Sequence, residues 1–309
     1  MENIQTAPER SQLSLWVQAV RPFSFTASLI PILLGMALAI LEPNARILWG
    51  LFPIVVIGGI LLQAGTNLVS EYYDLHKGVD RIETLGSSRV LVEKLIDPRS
   101  VLKAGLYCFA TAFLLGLILV EFRGVPIFIL GIIGILGGMF YTGKPVGYKY
   151  LALGDIFVFF LMGPLMVIGS YFSLTGLFSW KIFQISIPIG LLVTAIMHAN
   201  NIRDIKHDSL ANVRTIASVV GIKTAKIYYY ALKLCAFASI LVLYVIGTLE
   251  VWSLIVFISI IPAIANMKEI SKAEVANPEK VMIIDVKTAQ HHMLFGLLLI
   301  VGLILSKFF

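Results

Sequence analysis

The chain has 309 residues, of which 58% are hydrophobic and 14% charged, against roughly 45–50% and about 25% in soluble domains. That balance excludes a water-soluble globular protein, and the net charge of +6 follows from membrane topology and anionic lipid without any nucleic-acid partner. Cys108 and Cys235 both fall within apolar stretches, so they read as small packing residues rather than a disulfide or a thiolate metal site.

Residues 1–20 form a polar arm containing Glu2 and Glu9. It lacks a short apolar core followed by a small-residue cleavage site, so it does not read as a signal peptide. From there on, apolar blocks recur at 22–41, 48–69, 101–121, 124–141, 152–172, 181–199, 224–247, 252–266 and 289–306. A hydrocarbon core of about 30 Å needs roughly 20 helical residues per crossing. The pattern therefore predicts nine transmembrane helices in an all-α integral membrane protein, with residues 1–309 forming a single domain. Long continuous blocks argue for helices, since barrel strands alternate over about ten residues. The eighth block is short and ends near Pro262.

The basic residues fix an orientation. With the N-terminus in the cytoplasm, the arm and the loops after even-numbered helices hold most of the 24 Lys and Arg residues. The opposite side keeps only Arg46, Arg123, Lys181 and Lys307, and Lys233 lies inside the seventh block. This asymmetry predicts that the large polar loops are cytoplasmic.

Two polar segments carry the chemistry. The first, Asn67-Leu-Val-Ser70-Glu71-Tyr72-Tyr73-Asp74, continues through Lys77-Gly78-Val-Asp80 at the end of the second helix. At 3.6 residues per turn, Asn67, Glu71 and Asp74 share one face. The second follows the sixth helix and reads Asn200-Asn201-Ile-Arg203-Asp204 through Asp208, with Asn200, Asp204 and Asp208 four apart. Asn67 and Glu71 recur as Asn200 and Asp204 at a constant offset, which reads either as an internal repeat of about four helices with a site at its interface or as chance similarity. Both segments open on the same side of the membrane.

Facing carboxylates are costly unless a cation lies between them. Hard oxygen donors of this type suit Mg²⁺, which is commonly shared between one or two carboxylates and a substrate phosphate. The interleaved Lys77, Arg81, Arg89, Arg203, Lys206 and Arg214 call for an anion at the same place, and a diphosphate satisfies both demands. Solvated helix ends would account for either cluster alone, but not for two matched clusters on one side. An ion-coupled transporter is the rival reading, because ionisable residues at membrane helices are functional by default. Transporter sites, however, favour the bilayer midplane.

Other residues weigh less. His198 reads as a packed core histidine more readily than as a participant, and His291 and His292 read as interfacial. Gly131, Gly134, Gly137 and Gly138 form a small-residue stripe that close helix packing would explain. Tyr72, Tyr73 and Tyr141 are either interfacial aromatics or ring faces along the path of a cation.

Along almost its whole length the chain resembles the UbiA prenyltransferase family, which has nine membrane helices and Asp-rich motifs on helices 2 and 6. The resemblance rests on Arg21-Pro22, Glu71-Tyr-Tyr-Asp74 with Lys77-Gly78-Val-Asp80, and Gly86-Ser-Ser-Arg89-Val. It also rests on Tyr141-Thr-Gly-Lys144-Pro-Val-Gly147-Tyr148 before Gly154-Asp155, and on Asn200 through Asp208. The similarity is strongest to the branch acting on 1,4-dihydroxy-2-naphthoate in menaquinone synthesis; other branches use hydroxybenzoate or homogentisate. Three features depart from the family pattern: Ser70-Glu71 stands where many relatives have Asn-Asp, Gly78 where other branches place a further Asp, and Asn212-Val-Arg214-Thr where relatives often have Gly-Lys-Arg-Thr.

The resemblance implies a UbiA-type helical bundle in the cell inner or plasma membrane that transfers a polyprenyl group from its diphosphate to an aromatic acceptor. It implies Mg²⁺ as cofactor, Asp74, Asp204 and Asp208 as catalytic, and Asn67, Glu71 and Asn200 as further metal ligands. Lys77, Arg89, Arg203 and Arg214 are then expected at the diphosphate. Arg21, Tyr72, Tyr141 and Lys144 are expected at the acceptor or prenyl chain, with Asp80 as an additional acid and the active site on the cytoplasmic side.

Overall fold

The structure is a computed structural model that describes residues 10–43 and 45–308. The first nine residues of the polar arm, with Glu2 and Glu9, lie outside the described residues, as do Asn44 and Phe309. Every regular element among the described residues is helical, apart from one isolated backbone bridge between Leu151 and Arg214.

Helix α1 (Gln12–Val20) starts at Ser11, whose Oγ accepts from the Ser14 N–H, satisfying one of the free donors at a helix start. The left-handed Arg21 (φ 60°) and a 3-10 turn at Pro22–Phe25 redirect the chain into α2 (Thr26–Ile40). Helix α3 (Phe52–Lys77) ends at Gly78 (φ 73°), where a left-handed residue closes the last turn and a side chain would be strained. Helices α4 (Pro98–Arg123) and α5 (Val125–Met139) form a hairpin. The next span joins α6 (Gly154–Phe160) to α7 (Met166–Thr175) through a π-helical turn at Leu161–Leu165. Pro164 in that turn has no N–H to donate, so the regular ladder gives way there. Helix α8 (Trp180–Leu210) and the kinked α9 (Ile216–Val245) follow. A 3-10 segment at Val251–Ser259 runs into α10 (Ile260–Ser271), and α11 (Ile284–Leu305) closes the chain.

Eight of these helical spans are long and apolar enough to cross a membrane. The shorter α5 supplies a ninth crossing, as the nine apolar blocks predict. The boundaries differ most where chemistry was expected. Helices α3 and α8 continue past their apolar blocks to Lys77 and Leu210, so both acidic segments are helical and the second does not follow a helix but ends one.

The main core joins α2, α7, α8, α9 and α11 through Leu34, Leu174, Ile185, Ile189, Ile240 and Phe295. A smaller cluster packs Leu15 and Ala19 of α1 against Leu68 of α3 and against Val90 and Leu91. It pins both α1 and the loop after α3 over the end of α3.

Two expectations about polar and small residues change. His291 and His292 are fully buried rather than interfacial, and the Lys233 Nζ lies 3.2 Å from His291 Nδ1. The last helix begins earlier than its apolar block, which carries these histidines into the bundle. The glycine stripe of α5 also divides: a side chain at Gly137 would strike Leu161, whereas nothing lies within 4 Å of one built at Gly131. Packing explains only half of the stripe, since Gly131 and Gly134 line a cavity.

Candidate active site

The last turns of α3 present Glu71 and Asp74, both buried. Ser88 donates a short hydrogen bond to Glu71 Oε1, and Arg21 Nη2 donates to the Gly86 carbonyl at 2.5 Å. The loop after α3 is thus folded back over its own acidic end. Asp74 accepts from Lys149 Nζ at 2.6 Å and from the Tyr150 hydroxyl at 2.8 Å, and its backbone carbonyl accepts from the N–H groups of Val79 and Asp80. Burial pushes the Asp80 carboxyl well above the ordinary range, and the Asp74 and Glu71 charges push it further. Burial opposes the charge of Lys149, but the Asp74 carboxylate outweighs it and holds the ammonium well above the usual lysine value.

The facing surface is the end of α8. Arg203 Nε and Nη2 hold both oxygens of Asp204 at 2.9 and 2.8 Å, and Nη2 also reaches Asn200 Oδ1. Nη1 donates to the Met282 carbonyl at 3.0 Å and is ion-paired with Asp285 Oδ2 at 2.9 Å. One turn further on, Asp208 is buried, and its carboxylate has no hydrogen-bond or ion-pair partner among the described residues. Lys149, Asp204, Asp74 and Arg203 are the charges acting on it. The two surfaces meet at Gly86, where a side-chain carbon would lie 2.7 Å from Asp204 Oδ2 and against Arg203. Only a glycine lets the loop after α3 lie this close to α8.

A third element completes the enclosure. In the segment between α5 and α6, the Tyr148 hydroxyl donates to the Gly137 carbonyl at 2.8 Å, and the Tyr141 and Tyr148 rings meet edge to face at 5.4 Å. Burial raises the Tyr141 hydroxyl to about 12, so it stays protonated. The Ala152 N–H donates to the Arg214 carbonyl at 2.6 Å and the Arg214 N–H to the Tyr150 carbonyl at 3.2 Å. These bonds tie this segment to the turn between α8 and α9 and deliver Lys149 and Tyr150 between the acidic helix ends.

Below the charged groups lies a cavity of about 330 Å³. Arg21, Asn67, Tyr141, Asn200 and Asp285 rim its polar end, and Ile54, Leu117, Phe128 and Gly131 line its apolar depth. From Asn67 to Ile54 it follows α3 for about 20 Å at 1.5 Å per residue. Phe113, Leu117 and Phe128 are exposed on the outside of α4 and α5, so the cavity wall there borders lipid.

Several expected residues take different positions. Asn67 uses its amide on the arm: Nδ2 donates to Val20 O and Ser24 Oγ, both at 2.8 Å, and Oδ1 accepts from Gln63. Arg203 was expected at the diphosphate, but its guanidinium is engaged by protein oxygens on every nitrogen. Arg89 is exposed and pairs with Glu93 at 2.6 Å, while Arg214 and Lys144 are exposed. Lys77 lies 4.8 Å over the Tyr150 ring. Tyr72 stacks on His76 and does not line the cavity, whereas Tyr141 does. His198 is a core residue, 2.9 Å from Asp155 and 3.0 Å from the Ala225 carbonyl. Lys149, Tyr150 and Asp285 are the site residues that the sequence reading missed.

Among the described residues, no three His, Cys, Asp or Glu side chains converge to hold a metal ion by themselves. The donor set nevertheless suits a hard divalent ion that arrives with a phosphate. Carboxylates approach from two sides, and Asp208 is buried without a partner, which is costly until a cation joins it.

Residues 28–294 match the sequence profile of the UbiA prenyltransferase family. The chain is 33% identical over 306 residues to the 1,4-dihydroxy-2-naphthoate octaprenyltransferase of Bacillus subtilis, covering 98% of this chain and 97% of that one. It is 31% identical to human UbiA prenyltransferase domain-containing protein 1, over 96% of this chain and 85% of the human one. Its fold matches the solved structure of a UbiA homologue from Archaeoglobus fulgidus bound to GPP and Mg²⁺, with a TM-score of 0.63, 16% identity, and coverage of 93% and 99% of the two chains.

Proposed function

The chain belongs to the UbiA prenyltransferase family and is an integral membrane prenyltransferase, and we propose that it transfers a polyprenyl group to 1,4-dihydroxy-2-naphthoate, giving demethylmenaquinol, the reduced form of demethylmenaquinone. The observation that carries this reading is that two acidic helix ends approach each other one turn beyond Asn67 and Asn200, which line an apolar cavity bordered by lipid. A diphosphate head and a polyprenyl tail need these two environments side by side.

Asp74, Glu71, Asp204 and Asp208 would hold Mg²⁺, with Asp80 as a further acid, and the ion would neutralise charge on the leaving diphosphate. Lys149 and Arg21 supply cationic donors to the same oxygens. The tail fills the cavity along α3, α4 and α5, which fixes the allylic carbon near the Tyr141 and Tyr148 rings. As the allylic C–O bond breaks, the diphosphate takes the electron pair, and these ring faces favour the positive charge left on carbon. The folded-back loop and the α5–α6 segment keep out the water that would quench that charge. The acceptor carbon bearing the carboxylate forms the new C–C bond, and CO₂ leaves, its bonding electrons restoring the aromatic ring. The distribution of Lys and Arg supports a cytoplasmic site in the inner or plasma membrane. The curated relative that acts on dihydroxynaphthoate favours this acceptor.

The test is to incubate purified protein with Mg²⁺, a labelled polyprenyl diphosphate and a panel of aromatic acids, followed by mass spectrometry. Prenylated, decarboxylated naphthoquinol is expected. Reaction of hydroxybenzoate or homogentisate with dihydroxynaphthoate inert would replace the acceptor, and absence of any prenylated product would overturn the reading.

A further inference from the structure

Arg203 is almost fully buried, and its guanidinium is engaged by protein oxygens on every nitrogen, through four hydrogen bonds and an ion pair with Asp285. It therefore has nothing left to offer a phosphate. What it does hold is Asp204, gripped through both oxygens by one edge of the guanidinium. The opposite edge is held by Asp285, in the first turn of α11. Asp285 is fixed in turn: its Oδ1 accepts from the Val286 N–H at 2.9 Å, and the N-terminal end of α11 favours its negative charge.

We infer that Asp285 is a positioning residue that acts through Arg203 to orient Asp204 and to leave the trio net negative charge with which to bind a divalent cation. A single guanidinium facing a single carboxylate would neutralise it. Divided between Asp204 and Asp285, one positive charge meets two negative charges, and the trio keeps a net negative charge at the mouth of the cavity. Asp204 remains the partly exposed member while Arg203 and Asp285 are buried, so the surplus charge is presented where a cation can reach it. The planar fork also fixes the carboxylate in one plane and leaves its remaining lone pairs unused by the described residues. Groups that orient metal-binding carboxylates in this way usually contribute about tenfold to hundredfold in metal affinity. The inference rests on the proposal above that Asp204 binds the divalent ion.

The experiment measures Mn²⁺ binding, as a stand-in for Mg²⁺, to the full-length detergent-solubilised protein by electron paramagnetic resonance, with and without inorganic diphosphate. Asp285→Asn keeps the shape and removes the charge, so it is expected to weaken Mn²⁺ binding by about tenfold or more. Asp285→Glu restores binding, and the thermal midpoints of both variants stay close to wild type. In turnover, Asp285→Asn raises the Mg²⁺ concentration needed for half-maximal rate, while kcat at saturating Mg²⁺ is largely kept. Unchanged Mn²⁺ affinity in a folded Asp285→Asn protein overturns the inference and leaves the trio a structural tie between α8 and α11. If Asp285→Asn does not fold, Arg203→Lys, which keeps the charge but loses the fork, serves instead, and wild-type Mn²⁺ affinity in that variant likewise overturns it. Prenyl transfer by a wild-type protein that binds no Mn²⁺ overturns this inference while sparing the transferase reading; absence of prenyl transfer despite Mn²⁺ binding sinks the transferase reading alone.

Discussion

The two acidic helix ends are built on different principles. At the end of α8, Asp204 is held by a buried guanidinium that is itself anchored to another helix, so the counter-charge belongs to the framework. At the end of α3, Asp74 is held by Lys149 and Tyr150 from the segment between α5 and α6, and Glu71 by Ser88 from the loop after α3. These partners, of which only Lys149 is charged, come from connecting segments. The difference teaches that one end is prebuilt while the other can exchange its protein cation for a ligand. An ammonium on a four-carbon stem suits that exchange better than a rigid fork.

The largest effect should come from removing a carboxylate outright. Asp74→Ala and Asp208→Ala are each expected to lower prenyl transfer by more than about a hundredfold, since a metal-held diphosphate is worth several kcal/mol of transition-state stabilisation. Both proteins should remain folded by size exclusion in detergent, and EDTA should silence the wild type until Mg²⁺ is restored. Near-native turnover by either variant removes that residue from the metal-binding set.

Next in size is the exchangeable cation itself. Lys149→Ala deletes a charge-assisted bond worth about 1.5–3 kcal/mol, or roughly tenfold to hundredfold, and the loss should fall on the KM for prenyl diphosphate. If the acceptor KM rises instead, Lys149 serves the aromatic carboxylate and the contrast between the two ends needs a different cause.

The cavity beneath offers a third measurement. Gly131→Leu introduces a side chain into open space, so the variant should fold normally yet favour short donors over long ones by about tenfold, as lost methylene contacts in apolar pockets do. Measured with donors of two lengths, an unchanged ratio would mean that the tail lies elsewhere. The smallest effect is expected at the exposed Lys144. Lys144→Ala should leave both KM values within about twofold, in line with surface substitutions.

Much of this arrangement is legible in the sequence because helical periodicity places residues three and four apart on one face. Asn67, Glu71 and Asp74, and Asn200, Asp204 and Asp208, are local patterns of that kind, and the apolar blocks mark the spans. Periodicity does not show what a side chain meets. Arg203 looks like a phosphate clamp until Asp285, on the last helix, is seen against it. Lys149 lies just beyond the Tyr141–Tyr148 stretch that the motif draws attention to, and its aromatic neighbours Tyr148 and Tyr150 were the available signal. His291 and His292 were misplaced because an apolar block underestimates a helix whose first turns are polar but buried.

The main-chain stitch between Leu151 and Arg214 bears on how the covering segments tolerate change and transmit motion. Its bonds involve no side chain, and both side chains point outward, so the identities of Leu151 and Arg214 are free to drift without undoing it. A proline at Ala152 or Arg214 would sever it by removing the donor N–H. Mechanically, the stitch makes one body of two connections that are far apart in the chain. A ligand that draws Lys149 away from Asp74 would therefore pull on the turn that enters α9.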